Sequence, residues 1–179
     1  MRGGGIGAAR EVIRWNSRWL SCETAVAIIL AFGTYIGGRS VIYSALGWLL
    51  QYMAFSRVNE IVYAFYGDAS ARISRAKPRT PLRASQRIKL AMRSYLSLAL
   101  NFAAIAFFLP SRYYHPCFEK FHDALYFSGV TIATLGYGDI TPLRMASKFL
   151  SVYEVFAGVL LVVVALGVYI SRLEAKNDA

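Results

Sequence analysis

Two glycines, Gly136 and Gly138, alternate with Leu135 and Tyr137 in a short loop between two long apolar runs, residues 88–109 and 146–170. The whole loop reads Thr131-Ile132-Ala133-Thr134-Leu135-Gly136-Tyr137-Gly138-Asp139, and it constrains the fold more than any other stretch. Extended backbone points successive carbonyls in opposite directions. Alternating right- and left-handed dihedrals turn them all to one side, and glycine takes the left-handed state without a Cβ penalty. Irregular backbone at membrane depth is tolerated only where it is buried in protein or lines a wet cavity. The run just before the loop, residues 121–133, is apolar but too short to cross a bilayer. As a short helix it forms one wall of such a cavity, with the partial negative charge of its C-terminal end near the loop.

Composition supports a membrane setting. The chain has 179 residues, of which 56% are hydrophobic and 17% charged, with a mean hydropathy of +0.42. Soluble domains rarely read this way. Residues 19–36 make the first spanning candidate, about 27 Å as a helix. Gly37-Gly38-Arg39-Ser40 is a turn, and residues 41–66 are the second candidate, with a polar patch at Ser56, Arg57, Asn59 and Glu60. Arg57 is expected to snorkel to headgroups or to pair with Glu60 at i+3. Residues 88–109, closed by Pro110, and 146–170 are the third and fourth. Ahead of them, Arg10, Arg14 and Arg18 share one helical stripe and Val12, Trp15 and Trp19 another, which predicts a short interfacial helix. No small-residue cleavage site follows the first apolar run, so no cleaved leader is expected.

The net charge of +10 is explained by topology. Basic residues crowd the N-terminus (Arg2, Arg10, Arg14, Arg18), the 67–89 stretch (Arg72, Arg75, Lys77, Arg79, Arg83, Arg87, Lys89) and the tail (Arg172, Lys176). The opposite loops hold only Arg39, Arg112, Lys120, Arg144 and Lys148. The positive-inside rule then places both termini in the cytoplasm of a multi-pass protein of the cell membrane, with no nucleic acid as partner. Residues 72–89 are positioned to attract anionic lipid, and Arg79, Arg83 and Arg87 read as headgroup contacts. Cys22 and Cys117 fall at opposite faces and are expected to stay unpaired.

In this context Thr131, Thr134, Gly136, Tyr137, Gly138 and Asp139 together resemble the selectivity-filter segment of the potassium channel family, and the resemblance covers residues 88–172. It implies an all-α membrane protein with four transmembrane helices, a re-entrant pore helix and a filter loop, assembled as a homotetramer. The expected units are a cytoplasmic amphipathic segment (1–18), a membrane hairpin (19–66), a basic linker (67–87), a pore domain (88–172) and a cytoplasmic tail (173–179). Carbonyls of Thr134, Leu135, Gly136 and Tyr137, the Thr134 hydroxyl and the backbone at Gly138 would line the path of a dehydrated potassium ion. The ion passes down its gradient, so neither a catalytic residue nor an organic cofactor is expected.

Thr131, Asp139, Tyr126 and Phe127 are expected to support the filter, with Tyr126, Phe127 and Tyr137 packing as an aromatic cuff. Leu135 stands where valine is usual. Val130 stands where some members carry a glutamate that pairs with the aspartate after the filter, so Asp139 needs another partner. Gly158 falls at the inner-helix hinge of similar channels, and close packing is its other reading. Glu154, an ionisable residue inside a span, is expected to brace the pore helix from behind through Thr131, the other reading being a protonated, inert group in a polar pocket. The rival readings are a less selective monovalent cation channel on the same scaffold and a non-conducting membrane subunit.

Overall fold

The computed structural model describes residues 3–37, 45–73 and 84–177. Among the described residues, five helices carry the fold: α1 (Gly3–Gly37), α2 (Ala45–Ile73), α3 (Ala84–Phe108), α4 (Phe121–Ile132) and α5 (Met145–Asn177). A 3-10 turn at Ser111–Tyr113 leads into β1 (Tyr114–His115), which pairs antiparallel with β2 (Thr141–Pro142). The register sets Tyr114 opposite Pro142 and His115 opposite Thr141. This ribbon ties the chain before α4 to the chain after the loop at 133–140.

The ribbon is reinforced by the backbone N–H of Leu143 and the hydroxyl of Ser147, which donate to the Tyr113 carbonyl at 2.8 Å and 2.9 Å. Helix α3 is the hub, packed against α1, α2, α4 and α5. Its face from Leu98 through Phe107 is nearly all buried, and Phe107 meets Phe121 of α4 edge to face at 5.7 Å.

Among the described residues, two helices are long and apolar enough to cross a membrane: Ser85–Phe108, with mean hydropathy 1.4, and Met145–Gly167, with 2.4. They differ in how much of each is already covered, 67% of the first window and 28% of the second. Helix α5 thus leaves Phe149, Val152, Phe156, Val159, Val163 and Leu166 exposed.

The interfacial helix expected ahead of the first span is not a separate element. Helix α1 runs unbroken, because no proline interrupts it and Trp15 and Trp19 stack edge to face at 5.9 Å along it. Helix α2 extends past residue 66 to Ile73, and α3 begins at Ala84 rather than 88. Arg87 is not left to headgroups: its guanidinium pairs with Asp68 of α2 at 2.5 Å. Most of the turn at 37–40, and linker residues Arg75, Lys77, Arg79 and Arg83, lie outside the described residues. Cys22 and Cys117 are free and exposed, as expected.

Arg57 departs furthest from expectation. It does pair with Glu60, at 2.9 Å, but it does not snorkel: its side chain is 7% exposed. It lies between helices, with Nε 3.3 Å from Glu23 Oε1, Nη2 donating to Asn16 Oδ1 at 2.7 Å, and its guanidinium 5.5 Å from the Trp19 ring centre. The other Glu23 oxygen accepts from the Ser97 hydroxyl of α3. One ion pair therefore fastens α1, α2 and α3, because a buried charge is tolerated only when paired.

Candidate filter and pore helix

Helix α4 starts where its sequence says it should. Asp123, three residues after Lys120, accepts the backbone N–H groups of Lys120 and Glu119 at 2.8 Å and 3.0 Å, and its charge suits the positive helix end. The N–H of Phe121 donates to the Thr34 hydroxyl of α1 at 3.3 Å, and that hydroxyl in turn donates to the Leu30 carbonyl. Helix α4 is thus held at its start by α1.

At its other end the helix gives way to the predicted alternation. Gly136 and Gly138 have φ of 54° and 79°, and Thr134, a β-branched residue, has φ of 58°. Leu135 and Tyr137 lie between them outside the left-handed region. Such a φ at threonine is a strained backbone state that persists only where neighbours hold it. Here the N–H groups of Thr134 and Leu135 reach back to the carbonyls of Thr131 and Val130, at 2.9 Å and 3.0 Å. Residues from Thr134 through Asp139 are exposed, Leu135 at 58% and Tyr137 at 66%.

Asp139 finds a partner in the absence of a pore-helix glutamate. The Tyr126 phenol on α4 lies near its carboxylate and interacts with it. The three expected cuff aromatics divide. Tyr126 and Tyr137 stay exposed, whereas Phe127 is buried against Tyr114 and Phe118, at 5.1 Å and 5.8 Å between ring centres. Successive residues on a helix point about 100° apart, so Tyr126 and Phe127 cannot share a face.

Behind α4, Glu154 is 2% exposed and meets the hydroxyl of Ser128 rather than Thr131. Ser128 Oγ also lies 2.8 Å from the Ala99 carbonyl oxygen of α3, so α3, α4 and α5 meet at one polar point. Gly158, one turn along α5, lies against the end of α4. A Cβ there would sit 2.7 Å from Ile132 Cγ1 and 3.1 Å from the Ile132 carbonyl oxygen.

Close packing is therefore a sufficient reason for this glycine. Gly158→Ala is expected to lower stability by about 1–3 kcal/mol through overpacking, despite the gain of roughly 1 kcal/mol in helix propensity. Thermal melting in detergent checks the sign; a rise in melting temperature would contradict the contact.

Sequence reasoning missed Glu23, Tyr95, Ser128 and the hydroxyl of Thr34. Glu23 was legible in principle. It and Arg57 are opposite charges in adjacent spanning candidates, and such charges seek one another.

The profile of a family described as "Ion channel" matches residues 94–175, from mid-α3 through the loop and along α5. The chain is 46% identical over 57 residues to "Two pore potassium channel b" of Oryza sativa subsp. japonica, covering 32% of this chain and 16% of that protein. It is 44% identical over 41 residues to "Hyperpolarization-activated voltage-gated potassium channel" of Methanocaldococcus jannaschii, covering 23% of this chain and 20% of that one. The matched segments thus span a fifth or less of either relative. No solved structure matches. With helix, left-handed loop and second helix all inside the matched segment, residues 94–175 are similar to the ion channel family, and the resemblance to potassium channels is borne out there.

Proposed function

We propose that this chain is one subunit of a homotetrameric, potassium-selective channel of the cell membrane, through which potassium moves passively down its gradient. The observation that carries this reading is the left-handed backbone at Thr134, Gly136 and Gly138, alternating through a Thr-Leu-Gly-Tyr-Gly segment at the end of a short helix. That alternation turns carbonyls to one side of the strand. Four copies around an axis complete rings of oxygens from Thr134, Leu135, Gly136 and Tyr137 that replace the hydration shell of the ion.

One subunit carries one pore loop, so the ring closes only with cyclic symmetry. The uncovered filter and the apolar face of α5 are the surfaces such an assembly would bury. Thr131, Tyr126 and Asp139 act as filter supports, Glu154 as a brace through Ser128, and Gly158 as both contact and bending point of the inner helix. Helices α1 and α2 add two further spans around the outside of each pore domain, with both termini cytoplasmic and residues 72–89 near anionic headgroups.

The test is the reversal potential of purified protein in planar bilayers with potassium on one side and sodium on the other. A value close to the potassium equilibrium potential is expected. A value near zero with clear current would replace this reading with a nonselective cation channel. Silence in both bilayers and a potassium flux assay would favour a non-conducting subunit.

A further inference from the structure

An α-helix leaves its last four carbonyls without partners of its own. At the end of α4, three of them serve the approach to the filter. Gly129 O accepts from Ala133 N–H at 3.2 Å, Val130 O from Leu135 N–H at 3.0 Å, and Thr131 O from Thr134 N–H at 2.9 Å. The fourth, Ile132 O, takes its hydrogen bond from another helix: the hydroxyl of Tyr95, on α3, donates to it at 3.0 Å. On another side the same oxygen faces the bare backbone of Gly158 on α5. The Ile132 peptide is therefore fixed from both neighbouring helices. It lies two residues before Thr134, the strained threonine whose hydroxyl and carbonyl form the first oxygen ring in the proposed pore.

From this geometry we infer that Tyr95 is a positioning residue for ion selectivity: its hydroxyl, through Ile132 O, sets the place of Thr134 and hence the width of the first oxygen ring. The inference rests on the channel reading above. The physical cause is local. Without the donor, a carbonyl in a low-dielectric setting must turn toward another partner, and turning the Ile132 peptide moves the backbone that holds Thr134 at positive φ. A ring free to contract accommodates sodium as well as potassium. The ring of Tyr95 is half-buried and packs between α3 and α5 whether or not it carries a hydroxyl, so packing and positioning are separable.

Tyr95→Phe keeps the ring and removes the donor. The expected result is a fall in the potassium-to-sodium permeability ratio of roughly fivefold or more, the scale set by one lost hydrogen bond to a carbonyl, with the tetramer still assembled on native gels. Incorporating 4-aminophenylalanine in place of Tyr95 returns a donor at similar reach and is expected to restore the ratio. This also serves where Tyr95→Phe assembles poorly. Tyr153→Phe is the control: it removes a phenol that bonds Asn59 Oδ1 of α2 at 3.0 Å, away from Ile132, and should leave the ratio unchanged. A wild-type ratio in Tyr95→Phe, or an equal loss in Tyr153→Phe, would overturn the inference. A wild-type protein without potassium preference would instead overturn the channel reading, and this inference with it.

Discussion

In the proposed channel, Gly136→Ala is expected to abolish potassium preference while leaving the assembled complex intact. The reason is conformational rather than steric: on a single subunit nothing lies within 4 Å of the Cβ that would be added, but φ is +54°. A left-handed L-residue costs roughly 1–2 kcal/mol, so four copies around one axis would cost about 4–8 kcal/mol. A carbonyl flipped outward relieves that strain, and each flip removes an oxygen from the ion path. The reversal potential should move toward zero, or current should vanish, with an unchanged band on native gels. Gly167→Ala is the matched control, since that glycine also has open space but an ordinary φ. Wild-type selectivity in Gly136→Ala would mean that the loop does not carry the ion.

The largest effect on stability is expected at Arg57. Arg57→Ala leaves Glu23, whose side chain is 9% exposed, without its cation. Removing one partner of a buried pair costs about 3–5 kcal/mol, because the remaining charge is left uncompensated. The contact with Glu60 contributes little to this figure, since Glu60 is 55% exposed and water screens it. The double variant Arg57→Met with Glu23→Leu removes both charges while keeping bulk, and should recover most of the loss or exceed wild type. Melting temperatures in detergent of wild type, Arg57→Met, Glu23→Leu and the double variant complete the cycle. A single variant that melts like wild type would show that the pair does not hold α1, α2 and α3 together.

The sequence was most legible where signals are local. The pore helix read as 121–133 spans Phe121–Ile132, and the glycine alternation reappears as positive φ at residues 136 and 138. A break before the first span was not legible in the same way: the arginine stripe marks a helical face, but a face does not say where a helix stops. Contacts distant in sequence were hardest. Tyr95 to Ile132, Thr34 to Phe121 and Ser128 to Glu154 each join two helices. Periodicity assigns each helix a buried face without saying which neighbour covers it. Tyr126 and Asp139 are closer, yet their pairing needs the chain to reverse through the filter first.

The unbroken first helix has a mechanical consequence. From Gly3 to Gly37 it forms a rod about 52 Å long, with Thr34 near its C-terminal end resting on the first residue of α4. Helices bend only gently unless a proline, bulge or inserted group weakens them, and α1 contains no proline. A tug or tilt applied at the near end therefore travels the length of the rod as rigid motion, and part of it arrives where α4 begins.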